Sequence, residues 1–218
     1  MPEFGMLIFA LIIKILALLV AIIGHEIMHG LVALKYGDDT AKLQGRLTIN
    51  PLKHIDLFGS ILLPFGLFLL QAPFLFGWAK PVPVDIREVI KNGDYNGAIF
   101  VSLAGVLYNL LLAILAAILI KLLFSAEDGI LSKIFFYFLY YLVVYNIVLA
   151  VFNLLPIPPL DGSQALGYLS LKFNIDFIPI FFNKIERFGI IILMLILLIE
   201  PLSNIIFIPI KFLINILI

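Results

Sequence analysis

Residues 8–29 read IFALIIKILALLVAIIGHEIMH. The stretch from Ile8 to Ile23 is apolar except for Lys14, and a run that approaches ~20 apolar residues is a membrane-helix signal. Met6 to Leu34 reads as one long helix, interrupted in character only by Lys14 and by the polar group Gly24 to His29. Within that group His25 and His29 are four positions apart, which puts both imidazoles on one helical face and within reach of one tetrahedral ion. Glu26 stands beside them, where a carboxylate can take a proton from water. A chance match in an ordinary helix is the alternative reading. His25 precedes Lys35 by ten positions, about 15 Å of helix, and a charged group at that depth costs about 2.5–3.5 kcal/mol even on a lenient scale. Ionisable residues persist at such depth where they face a bundle interior and do chemistry.

Composition agrees with a membrane setting. The chain has 218 residues, 63% of them hydrophobic and 13% charged, with a mean hydropathy of +1.18, whereas soluble domains carry about 25% charged residues. The expected fold is an all-α polytopic membrane protein. It would have about five to six membrane segments, one of them re-entrant, at ~20 apolar residues per crossing, together with small interfacial β-strands. Residues 1–218 read as a single domain, with a core over about 6–172 and accessory membrane segments over 173–218. No polar stretch is long enough for an inserted soluble module. Zero net charge gives no case for nucleic acid. The absence of cysteine excludes disulfides and thiolate-bound zinc.

Outward from the first helix, residues 35–56, KYGDDTAKLQGRLTINPLKHID, are polar, and KLQGRLTIN alternates like a strand. Leu57 to Trp78 is apolar but punctuated by Pro64, Gly66, Gln71 and Pro73. The AKPVPVD that follows is extended, because a residue before proline avoids the helical region. Ala98 to Phe124 and Ile130 to Leu155 are two further spans, and a helix is expected near Ser163 to Lys172. Phe188 to Ile199 and Ile205 to Ile218 are weaker apolar pieces, broken by Pro201 and Pro209.

A hydrolytic zinc ion takes three protein ligands and leaves a position for water. The third histidine, His54, lies in the polar loop and reads as solvated or interfacial. Asp161 is the better candidate: it ends NLLPIPPLDG, where the prolines prevent regular helix and irregular backbone at membrane depth is tolerated if it lines a cavity. Its alternative role is a plain N-cap for the helix near Ser163. Asn109 reads either as an interhelical hydrogen bond or as a donor to a scissile carbonyl or its oxyanion. Asn153 reads either as a brace for the PIPP backbone or as a substrate contact.

HEIMH in a membrane helix followed at a distance by NLLPIPPLDG resembles the site-2 protease family of intramembrane zinc metalloproteases. RLTINPLKHIDLFGSILLP, FGWAKPVPVD and SLAGVLYNLLLA resemble further segments of its short prokaryotic branch, which lacks a PDZ domain. The resemblance covers most of residues 20–170. It implies one Zn²⁺ per chain held by His25, His29 and Asp161, with Glu26 as the base. It also implies a substrate that is itself a membrane protein with a transmembrane segment. The family's membrane motif commonly reads AGPxxN; here Val106 stands at the proline position and Asn109 is kept. A metal transporter and a catalytically inactive zinc-binding membrane protein are the alternatives. Against the first stands the scarcity of other charges in the apolar runs, Lys14 and Glu200 being the main ones. Against the second stands Glu26, which a structural site does not need.

The topology must also let these residues meet. If Leu57 to Trp78 crossed the bilayer, Asp161 would end on the face away from the histidines. If that segment enters and returns, Asp161 comes back to them. On this scheme Lys35, Lys42, Arg46, Lys53, Lys80, Arg87, Lys91, Lys172, Lys184 and Arg187 share one side, with Lys121 and Lys133 on the other. The positive-inside rule then points the metal toward the cytoplasm, in a cell (inner or plasma) membrane. GRLTIN and KPVPVD are candidate strand edges that could hold an unwound substrate.

Overall fold

The computed structural model of the chain describes residues 2–71, 77–124 and 129–218. In chain order the helices are α1 (Pro2–Lys35), α2 (Thr40–Leu43), α3 (Leu63–Leu69), α4 (Ile86–Leu123), α5 (Ile130–Asn153), α6 (Asp161–Lys172), α7 (Phe177–Ile185), α8 (Gly189–Leu198) and α9 (Glu200–Leu217). Four stretches are long and apolar enough to cross a membrane: Ile8–Lys35, Ile86–Leu123, Leu131–Asn153 and Glu200–Leu217. Helices α1, α4 and α5 pack on one another, α6 packs on α4, and α9 on α5. Small side chains make this close approach possible. Ala17 and Ala21 of α1, Ala113 and Ala116 of α4 and Ala150 of α5 are at most 1% exposed. Lipid tails are as apolar as leucine, so helices in a bilayer associate through such tight backbone contact. The bulky residues Leu11, Ile12, Leu16, Leu111 and Leu115 face outward, as a lipid-facing surface requires.

Several sequence expectations are revised. Helix α4 begins at Ile86, twelve residues before the expected Ala98. Asp85 caps it by accepting the Arg87 N–H at 3.0 Å, and the chain resumes helix after a break at Asp94, whose φ is +54°. The helix then continues through Val106, where the family motif has proline, with no further non-helical residue. Pro209 does not end α9 but lies inside it; losing one helical hydrogen bond is tolerated where neighbours can compensate. Among the described residues no strand forms. Around Thr48 and Asn50 the backbone N–H groups of Asn50 and Leu52 go to the side chains of Thr48 and Asn50, local bonds that compete with a ladder. Residues 77–85 are extended, but Pro81 and Pro83 supply no N–H to a neighbour.

The two described ends of the segment from Leu57 to Trp78 meet. A wide helical turn over Leu57–Leu62 leads into α3. The break expected at Pro73 lies outside the described residues. At the return, Trp78 N–H donates to Gly59 O at 3.2 Å and Ser60 Oγ donates to Trp78 O at 2.8 Å, so the two ends of the excursion lie side by side. The polar ends gather likewise. Asp85 N–H donates to Asp38 Oδ2 at 2.7 Å, Asn92 Nδ2 to Tyr36 O at 2.9 Å, and Lys172 Nζ to Asn96 Oδ1 at 2.7 Å. The start of α4 and the ends of α1 and α6 therefore meet at one end of the bundle.

Candidate metal centre

Helix α1 carries His25 and His29 one turn apart, and the irregular turn over residues 154–160 delivers Asp161 opposite them. His25 Nε2 lies 3.1 Å from His29 Nε2 and 3.1 Å from Asp161 Oδ2; His29 Nε2 is 3.4 Å from the same oxygen. The other ring nitrogens are occupied. His25 Nδ1–H donates to Asn109 Oδ1 at 2.6 Å, and His29 Nδ1–H donates to the Val101 carbonyl at 2.7 Å. With both Nδ1 atoms acting as donors, the Nε2 atom of each ring in its neutral form presents a lone pair. Asp161 Oδ2 is buried and has no hydrogen-bond donor. Three potential ligand atoms thus converge on one point, an arrangement that a cation held among them would relieve. The spacing suits one: a tetrahedral ion bonded at about 2.0–2.1 Å separates its ligand atoms by roughly 3.3 Å.

Asp161 is the first helical residue of α6 rather than its cap, and its side chain makes no capping bond. Two glycines let these groups approach. A Cβ on Gly105 would lie 2.5 Å from His25 Cε1 and 2.6 Å from both ring nitrogens, so the imidazole rests on the bare backbone of α4. A Cβ on Gly162 would run into the Leu154 carbonyl. Gly105→Ala is expected to displace the His25 ring and lower zinc affinity by about 10–100-fold, as loss of a ligand's support does. Alanine is the better helix former by about 1 kcal/mol, so α4 itself is not weakened. Zinc per purified chain, measured beside Gly167→Ala, where a Cβ meets nothing within 4 Å, checks this; full zinc in both variants would contradict it.

Glu26 Oε2 accepts the Val82 N–H at 2.9 Å. Val82 belongs to the extended segment 77–85, which side chains hold in place of a sheet. Arg46 Nη2 donates to the carbonyls of Lys80 at 2.8 Å and Pro81 at 3.1 Å, and Lys80 N–H donates to His54 O at 2.8 Å. A cavity of about 690 Å³ lies between this segment, the His25–His29–Asp161 cluster, Leu149, Phe152 and Asn153 of α5, and Gln164 and Tyr168 of α6. That size falls within the range of small-ligand sites. A groove of about 670 Å³ between α1 and α4, lined by Met28, Leu107 and Leu111 among others, contains none of the triad.

The structure places three further residues that the sequence singled out. His54 is not solvated: it is 3% exposed, its Nε2 bonds Thr48 O at 2.8 Å, and it closes its own loop away from the triad. Asn109 is 0% exposed, and its amide donors go to Ala21 O at 3.1 Å and Asn146 Oδ1 at 2.7 Å. With its oxygen on His25, its polar atoms make the interhelical hydrogen bonds that the first of its two readings expects. Asn153 lines the cavity, but its Nδ2 donates back to Leu149 O at 3.0 Å and not to the PIPP turn. Sequence reasoning missed Val82, because a backbone donor leaves no mark in side-chain identity. It also missed Tyr168, whose phenol burial pushes above its ordinary pKa, so that it stays neutral in the cavity wall.

A chain from Bacillus subtilis, "Putative zinc metalloprotease YwhC", is 38% identical over 197 residues, covering 87% of this chain and 81% of its own length. The chain belongs to peptidase family M50. The profile of that family matches residues 126–197, the part that carries Asp161. "Putative zinc metalloprotease MJ0611" of Methanocaldococcus jannaschii is 33% identical over 171 residues, 77% of this chain and 74% of its own. "Putative zinc metalloprotease Rip2" of Mycobacterium tuberculosis is 32% identical over 148 residues, and there the match spans 53% of the relative's length. No solved structure matches. M50 is the site-2 protease family, and this member is a membrane-embedded metalloprotease whose cofactor is zinc. The His25–His29–Asp161 cluster, the one such group found among the described residues, has the donor set for that ion.

Proposed function

We propose that this M50 protease is an intramembrane endopeptidase. In this reading residues 1–218 form one protease domain that cuts peptide bonds in or near the transmembrane segments of other membrane proteins, as in regulated intramembrane proteolysis. The observation that carries the reading is the shared cavity. His25, Glu26, His29 and Asp161 form one wall and the extended segment 77–85 another, at a depth of about 15 Å from the polar end of α1. His25, His29 and Asp161 would hold the zinc, which when bound would supply a Lewis acid for the attacking water and the scissile carbonyl. Glu26 takes the proton from that water and passes it to the departing amine nitrogen. The Val82 N–H fixes the rotamer of Glu26 during both transfers. Asn153 and Tyr168, on the cavity wall, contact the substrate chain.

The test is cleavage in proteoliposomes with single-span segments as substrates. Cleavage is expected to stop on chelation and return with added Zn²⁺; cleavage that persists in the zinc-free protein would overturn the reading.

The cavity is proposed to open toward the cytoplasm of a cell membrane, supported by the basic residues around Lys35, Lys91 and Lys172 at the end of the bundle where these segments meet. The chain has no cysteine, so single substitutions report cleanly. Lys133→Cys is expected to react with an impermeant maleimide from outside intact cells, and Lys91→Cys only after permeabilisation. The reverse pattern would contradict the orientation.

A further inference from the structure

A second buried amide lies behind the first. Asn146 of α5 is 0% exposed, is not among the residues that line the cavity, and has no part in the chemistry above. Its Nδ2 donates to the Leu142 carbonyl at 2.8 Å, and a carbonyl can only accept. Its Oδ1 must therefore face the other way, and there it accepts from Asn109 Nδ2 at 2.7 Å. Asn109 Nδ2 also donates to the Ala21 carbonyl at 3.1 Å. With both donors of Asn109 fixed in this way, its Oδ1 is turned to His25, and an oxygen there compels His25 to carry its proton on Nδ1. The lone pair of His25 is then on Nε2, facing His29 and Asp161. The orientation of each amide is set by the next, and the series begins at two backbone carbonyls that have no alternative.

We infer that Asn146 is a positioning residue for the metal site. Through Asn109 it holds His25 in the tautomer that can ligate zinc, and it ties α5, the helix that leads to Asp161, to α4 and α1. An amide buried in a helix bundle needs all its partners, because an unsatisfied one is costly. Removing the acceptor at Asn146 leaves one Asn109 N–H with no partner. Rotating the Asn109 amide to face its nitrogen toward His25 Nδ1 then becomes an accessible state, and it favours the tautomer with the proton on Nε2. That tautomer has no lone pair for the ion.

The inference rests on the reading of His25 as a zinc ligand, and the experiment separates the two. Zinc affinity is measured by chelator competition on the full-length protein in detergent, and the tautomer of each histidine by ¹⁵N NMR of the zinc-free protein. The variants are Asn146→Leu, close in volume but apolar, and Asn146→Ser, whose hydroxyl can still bond the Leu142 carbonyl but is too short for Asn109. Both are expected to weaken zinc binding about 10-fold, the lower end of what loss of an outer partner costs, and to populate the Nε2–H form of His25. In an Asn109→Ala background, Asn146→Leu is expected to have no further effect, since the path to His25 is already cut. If Asn146→Leu does not fold, Asn146→Ser carries the comparison. Unchanged affinity with an unchanged His25 tautomer in a folded variant would overturn the inference, as would effects of Asn109→Ala and Asn146→Leu that simply add. Retention of full zinc affinity by His25→Ala would instead overturn the ligand assignment.

Discussion

Glu26→Gln is expected to abolish peptide hydrolysis while the protein keeps one zinc per chain. Glutamine has the shape of glutamate, and its carbonyl oxygen can still accept the Val82 N–H that Glu26 Oε2 accepts at 2.9 Å. The extended segment 77–85 and the cavity it bounds therefore stay in place. What is lost is the group that takes a proton from water and returns it to the amine. General acid–base catalysis contributes about 10²–10⁴-fold per group, and here one carboxylate serves both transfers, so kcat is expected to fall by at least about 10³-fold. Zinc by elemental analysis and kcat on one purified preparation check both halves. A variant with normal kcat would remove Glu26 from the chemistry. One that lost its zinc would make Glu26 part of the metal-binding set.

Asp161→Ala is expected to lose the metal itself. Asp161 Oδ2 is buried without a donor and lies 3.1 and 3.4 Å from the two imidazole nitrogens, the position the proposed third ligand must hold. Two histidines alone make an incomplete hydrolytic site. Zinc affinity is expected to drop at least about 100-fold, beyond the range for outer partners, with activity falling alongside. Thermal stability gives a second readout. A ligand at about 100 times its Kd stabilises the folded state by about 2.7 kcal/mol, so added zinc should raise the melting temperature of the wild type and leave that of Asp161→Ala unmoved. An equal rise in both would contradict the assignment.

How much of this was legible in the sequence depended on whether a feature is local. HEIMH declares its geometry because the spacing within one helix brings the two imidazoles together, and PIPPLDG declares a break because prolines forbid helix. The punctuation of Leu57 to Trp78 suggested a re-entrant path; the structure shows that Gly59 and Ser60 bond Trp78, which places the two ends of the segment together. The strands expected at GRLTIN and KPVPVD did not form, since alternation and extension are necessary for a ladder but a partner is also needed. The available donors and acceptors went instead to Thr48, Asn50, Arg46 and Glu26. His54 was misjudged because a polar loop seldom buries a histidine, and here the loop folds over its own side chain. Asn146 left a signal, an amide in the apolar run YLVVYNIVLAVFN, but its meaning depends on Asn109, 37 positions away, and on three helices packing together.

The central claim is that the bond cut lies in or near the membrane span of another protein. The direct measurement is mass spectrometry of the products when wild type and Glu26→Gln are each reconstituted with a panel of single-span segments. The account predicts new termini inside the apolar segment, made by the wild type and not by Glu26→Gln. Cuts confined to the soluble flanks, or the same products from both proteins, would contradict it.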